Sequence, residues 1–109
     1  MIFRNLRRLT RLKVDTNAGG TIELVAAQSG KKIKVIAGFL ALASSSTLNF
    51  KSATTSLTGP MTLTSLGLEP LKIAVDEVLP WFETAAGEAL NLAFGGAVQC
   101  SGVLFYALE

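Results

Sequence analysis

The side chains able to do chemistry in this chain are few. Asp76 and Glu77 are adjacent, and Glu83 and Glu88 flank a turn marked by Gly87. Paired carboxylates serve as general acid and base when their separation is right, as in glycoside hydrolysis. Here Asp76 and Glu77 fall in an expected loop and the other two border a turn, where acids are ordinarily solvated charges. The chain contains no histidine, which removes the commonest general base and metal ligand. Its single cysteine, Cys100, rules out an internal disulfide and sits mid-strand between Gln99 and Ser101, where a thiol acts as a small buried hydrophobe. No cysteine–histidine cluster, calcium loop, phosphate-cradling glycine loop or nucleophile elbow is present. The residues therefore predict a protein that is not an enzyme and uses no cofactor or metal. The reading this displaces is a small-ligand barrel or hydrolase working through Glu83 or Glu88.

Charge points to binding instead. Arg4, Arg7, Arg8, Arg11 and Lys13 place five of the ten cations in the first thirteen residues, with no acid before Asp15. The other five cations face eight acids, so a chain of net charge +2 has a body of −3. Residues 1–13 read as a basic arm, ending in or near a first strand, on a body of residues 14–109. Such cations can neutralise phosphates, but Phe3 stands alone and offers no stacking platform. Leu6, Leu9 and Leu12 interleave with the arginines, which suits docking on an acidic, partly apolar protein surface rather than on nucleic acid. Residues 1–8 fit an amphipathic turn or an extended arm equally well. The arm lacks the apolar stretch of a secretory peptide and shares only its arginine content and lack of acids with a mitochondrial presequence. The uncharged run Ala89–Leu108 is long enough to cross a bilayer. Its period of two, and its Asn91, Gly95, Gly96, Gln99 and Ser101, argue for a soluble sheet and no membrane contact.

The elements that must position these groups are strands. Leu90, Leu92 and Phe94 alternate with Ala89, Asn91 and Ala93, and Val98, Cys100, Gly102, Leu104 and Tyr106 alternate with their neighbours. The glycine pair Gly95-Gly96 between the runs predicts a hairpin at the sheet centre. Upstream, strands are expected near 9–15, at Thr21–Ala27, at Lys32–Ala43, around Leu48 and Phe50, at Met61–Thr64 and at Leu71–Val75. Ser44–Ser46 should break the third of these, Leu66–Pro70 and Asp76–Pro80 should be connections, and Ser52–Thr58 a loop or edge. Lys32–Ala43 has a helical rival, which its β-branched start, Gly38 and missing N-cap disfavour. From Val35 on both of its faces are apolar, so each needs a cover: the core on one side, a neighbouring subunit or the arm on the other. Glu83–Leu92 could hold a helical turn, but Gly87 favours a tight β-turn. The sum is about eight short strands at even spacing, an all-β single-domain antiparallel β-sandwich or barrel.

At 109 residues the chain has room for one core, yet half of its residues are hydrophobic and only 17% are charged. Charged residues make up about a quarter of a typical soluble domain. The apolar excess implies a homo-oligomer or a larger assembly that hides the remainder.

One ordered set of segments resembles a known group. It runs from Gly30-Lys31-Lys32-Ile33 through Phe50-Lys51-Ser52 and Leu57-Thr58-Gly59-Pro60-Met61 to the twelve residues from Trp81 to Leu92, then Ala97-Val98-Gln99-Cys100-Ser101-Gly102. Over roughly residues 20–108 it is similar to small structural proteins encoded among the virion genes of tailed bacteriophages. The resemblance implies a β-sandwich related to jelly-roll capsid accessory proteins, no catalysis, and a place in the particle. With the apolar excess and polarised charge, it gives the expectation of a capsid cement or decoration protein on the virion exterior, present in the host cytoplasm during assembly. Its expected partners are the major capsid protein and itself, as a homotrimer at capsid symmetry axes. The arm lies outside the similar region, so docking by Arg4, Arg7, Arg8, Arg11 and Lys13 rests on their charge alone. The alternative is a neck, tail or fibre component that recognises a host surface, for which Trp81-Phe82 is the candidate contact. A buried Trp81 is the expectation.

Overall fold

Period-two alternation carries through almost the whole chain and yields ten strands and, among the described residues, no helix. The computed structural model describes residues 9–68, 71–73 and 77–109, and the side chains of 9–67 and 80–109. The strands are β1 (Thr10–Thr16), β2 (Gly20–Val25), β3 (Ile33–Ser52), β4 (Thr55–Ser56), β5 (Met61–Leu68), β6 (Leu71–Ile73), β7 (Glu77–Leu79), β8 (Phe82–Glu83), β9 (Leu90–Phe94) and β10 (Cys100–Leu108). Eight of them form one antiparallel sheet, ordered β1-β10-β3-β9-β2 with β4, β5 and β8 also paired to β3. β6 and β7 form a separate two-stranded ribbon. The all-β antiparallel class is as expected. Two short elements are not: Leu66–Leu68 extends β5 where a connection was expected, and Glu77–Leu79 is a strand where a loop was expected.

The organising element is β3. Ser44–Ser46, expected to end it, does not; the strand continues for 20 residues to Ser52. Fully extended it would reach roughly 60 Å, more than the longest dimension of the molecule, 44 Å. It is bent, and its two ends are stitched by the same short segment. The Ile33 amide donates to Thr84 Oγ1 at 2.9 Å, and the Ala85 amide donates to Ser52 Oγ at 2.9 Å. Phe82, paired with Val35 near one end of β3, stacks on Phe50 near the other with ring centroids 4.6 Å apart. The sandwich is thus one sheet curled over itself.

Gly95-Gly96 does not close the expected hairpin. β9 and β10 do not pair with each other; both run along the same edge of β3, β9 beside its second half and β10 beside its first. Leu48 faces Phe94 before the interruption and Leu42 faces Cys100 after it, six positions on along both strands, so the register is kept. The Gly95 amide still donates to Thr47 O, and the Ala43 amide to Gln99 O. Glycine supplies the bend without reversing the chain. Outside them β1 and β2 repeat the arrangement, β1 along β10 and β2 along β9. Three small, turn-prone clusters, Asn17–Gly19, Ser44–Ser46 and Gly95–Ala97, therefore line up across the sheet as one crease. Close approach across it is direct: a Cβ on Gly19 would lie 3.2 Å from the Ala97 nitrogen, and one on Gly95 would lie 3.0 Å from Thr47 Cβ.

The concave side holds one contiguous core. Leu40, Leu42, Leu48 and Phe50 of β3 meet Leu90, Leu92 and Phe94 of β9, Cys100 and Leu104 of β10, Val14 and Val25. Ile33 and Val35 also face inward although their parity is opposite. A bulge opposite Phe105 and Tyr106 absorbs the difference. Burial pushes the Cys100 thiol above its usual range. The folded chain therefore keeps that proton to higher pH than the unfolded chain. Stability present below the ordinary thiol range is lost as pH rises through it, and Cys100→Ala should flatten that decline in denaturant titrations between neutral and alkaline pH. Ellman's reagent should label native Cys100 at least about a thousandfold slower than the unfolded chain, because reaction requires opening of a central strand.

Candidate functional site

The bulge that turns Ile33 and Val35 inward also decides what faces out. After it, Leu40 and Leu42 point to the core, so Ala37, Phe39 and Ala41 lie on the convex side. Pairing across the sheet gives three rows there. One is Arg11, Phe105, Ala37; the next is Lys13, Val103, Phe39, Gly67; the third is Asp15, Ser101, Ala41, Ser65. Phe39 is 55% exposed, the most open large hydrophobic side chain among those described. Gly67 opposite it carries no side chain, and a Cβ there would meet nothing within 4 Å. The ring thus stands on a flat floor, with Val103 beside it and Phe105 one row away, both half-buried.

Among the described residues, the cations that border this patch lie on β1, with Asp15 beside them. Arg11 and Lys13 are strand residues of β1, and both are exposed. The Arg11 side chain makes no hydrogen bond or ion pair among the described residues. Lys13 Nζ lies 3.9 Å from Asp15, with the lysine side chain 82% exposed, a contact that water screens almost completely. Asp15 accepts a hydrogen bond from Gln99 Nε2 at 2.8 Å. Arg4, Arg7 and Arg8 lie outside the described residues. On the second face of Lys32–Ala43, expected to be covered, Phe39 is exposed, and β10 supplies its described apolar neighbours; residues 1–8 of the arm lie outside the described residues. Val103 and Phe105 are the members of this surface that sequence reasoning missed, although their alternation with Leu104 and Tyr106 carried the signal.

The carboxylates singled out for acid–base work have structural partners. Glu83 pairs with Lys32 Nζ at 3.3 Å, and Glu88 accepts the Ser52 hydroxyl, which itself accepts the Ala85 amide. They hold the turn at Gly87, a β-turn as expected, against the ends of β3. Glu88→Ala should leave Ser52 underbonded and lower the unfolding free energy by about 1–2 kcal/mol in urea titrations. Asp76 and the Glu77 side chain lie outside the described residues.

Trp81 corrects the expectation of a core tryptophan. It is 43% exposed, with its amide donating to Val35 O. Phe82 takes the inward position by stacking on Phe50, and alternation turns its neighbour outward. At the crease lies an open cleft of about 300 Å³ lined by Ser45, Ser46, Thr47, Thr62 and residues 95–98. Its lining is made of serine and threonine hydroxyls, glycine backbone and the Ala97 and Val98 side chains. Compared with known proteins, the chain matches no described family and no curated protein sequence.

Proposed function

We propose that this chain is a structural protein of a tailed-phage particle, a cement or decoration protein that binds the outside of the capsid shell and stabilises it. The observation that carries the reading is the exposed apolar face around Phe39, built on the middle strands of a sheet and bordered by Arg11, a cation with no partner among the described residues. A rigid surface of this kind loses little conformational freedom when it is covered, which favours binding. The ordered segments from Gly30 to Gly102 that resemble phage virion proteins supply the context. The major capsid protein is the partner, and a homotrimer at the shell's symmetry axes is the form in which the protein would clamp neighbouring subunits.

The test is co-sedimentation of the purified protein with shells assembled from its cognate major capsid protein. Saturable binding in shell-scale copy number, with shells that resist heat better, is the expected result; absence of binding overturns the reading. The arm is tested by deleting residues 2–8. A deletion reaching Lys13 would also remove half of β1 and confound folding with docking. Loss of occupancy in the shorter deletion assigns the arm a part in docking, and full occupancy removes it.

Exposure of Trp81 favours a second reading, a neck, tail or fibre component that meets a host surface glycan by ring stacking. Binding on a glycan array that Trp81→Ala abolishes, with the fold intact, would select it.

A further inference from the structure

Resting on the reading of the chain as a shell-binding protein, we propose that the convex face of β1, β10 and β3 is its docking surface. Its occupant is a foreign protein surface carrying an apolar patch flanked by carboxylates, and not a second copy of this chain. Three observations carry this. First, Phe39, Val103, Phe105, Ala37 and Ala41 form an apolar patch whose backbone is held on both sides. Residues 38–41 of β3 are hydrogen-bonded to β10 along one edge and to β5 along the other. Phe39 at its centre has the exposure and the ring size of an interface anchor.

Second, the charge around the patch is one-sided. Among the described residues, Arg11 and Lys13 border it on β1 and outnumber Asp15 of the same strand, whereas β5 offers the neutral Ser65 and Gly67 in the rows of Asp15 and Lys13. A complementary partner therefore places its carboxylates over β1 and neutral residues over β5, which fixes the orientation of docking.

Third, the described part of this face is net positive, and the carboxylates described elsewhere are engaged or distant. Among its described carboxylates, Glu83 is paired with Lys32, Glu109 with Lys34 at 2.9 Å, Glu88 with Ser52 and Asp15 with Gln99. Glu23 lies on β2, on the other half of the curled sheet. Two copies stacked through this face would bring together surfaces that each carry Arg11, Lys13 and Asp15, a net charge of +1 apiece among the described residues. Nucleic acid fits poorly too, since the apolar residues at the centre contribute nothing to phosphate neutralisation.

The experiment uses the full chain, shells of the cognate major capsid protein as the probe, and three variants. Phe39→Asp should weaken shell binding at least about 30-fold, the loss expected for an interface anchor. Arg11→Glu with Lys13→Glu should weaken it about tenfold and flatten its dependence on salt. Thr21→Asp, exposed on β2, should bind as the parent does. Phe39 is exposed, so its variant should melt with the parent, and melting curves check this. Parent binding with undiminished binding by Phe39→Asp overturns the docking face while leaving the shell reading intact. Failure of the parent to bind overturns the shell reading and this inference with it. Sedimentation equilibrium that finds a parent oligomer which Phe39→Asp dissociates assigns the face to a second copy. Tight binding of a short DNA duplex, lost in the Arg11/Lys13 variant, assigns it to nucleic acid. Either result overturns the proposal.

Discussion

Gly102→Ala should lose about 3 kcal/mol of unfolding free energy, a large part of the total for a domain of this size. Gly102 pairs with Leu40 in the middle of the ladder between β3 and β10. A Cβ at that position would lie 2.1 Å from the Phe39 carbonyl oxygen and 2.9 Å from Leu40 Cα. Both obstacles are backbone held on either side by neighbouring strands, so neither can swing aside as a side-chain tip would. Gly38, across the same ladder opposite Leu104, has φ of 145° and an equally crowded position, where a Cβ would lie 2.4 Å from the Val103 carbonyl oxygen. Gly38→Ala should behave like Gly102→Ala. Gly67→Ala is the control: a Cβ there meets nothing within 4 Å, and its unfolding midpoint in urea should stay near that of the parent. A Gly102→Ala protein as stable as the parent would mean that the two strands do not approach so closely.

Phe50→Ala should cost about 4 kcal/mol, within the range for removing a buried aromatic ring. Phe50 is fully buried and its ring rests on Phe82, the contact that joins the far end of β3 to the segment paired with its beginning. The loss therefore combines a cavity with the release of the clasp that keeps the sheet curled. Phe39→Ala, on the opposite face of the same strand and open to water, should change stability by only a few tenths of a kcal/mol. Unfolding of the two variants by guanidinium, followed by tryptophan fluorescence, separates them cleanly. Equal effects would sink the assignment of one ring to the core and the other to a binding surface.

Much of the strand content was legible in the chain. Ile22 and Leu24, Leu48 and Phe50, and Leu90, Leu92 and Phe94 alternate with polar or small residues, and each set lies in a strand with those side chains toward the core. Glu83 and Glu88 lie next to turn residues in the chain, and the fold gives them a lysine and a serine as partners. Illegible was the meaning of the small-residue clusters. Asn17–Gly19, Ser44–Ser46 and Gly95–Ala97 each have the composition of a chain reversal, yet none of them reverses the sheet pairing. Local composition gives a segment freedom to turn; which way the freedom is used depends on the strands alongside it.

The sequence by itself determined an all-β chain, because side-chain alternation is a local property that any pleated strand must respect. It also determined a composition half hydrophobic and 17% charged, which does not depend on fold. Only the tertiary structure decided which of those apolar side chains are buried and which are exposed. The bulge between Ala37 and Val35, opposite Phe105 and Tyr106, shifts the parity of β3 and sends Leu40 inward and Phe39 outward. A single-residue shift reverses every side chain beyond it. Its position is set by cross-strand pairing between residues far apart in the chain, which no local pattern records.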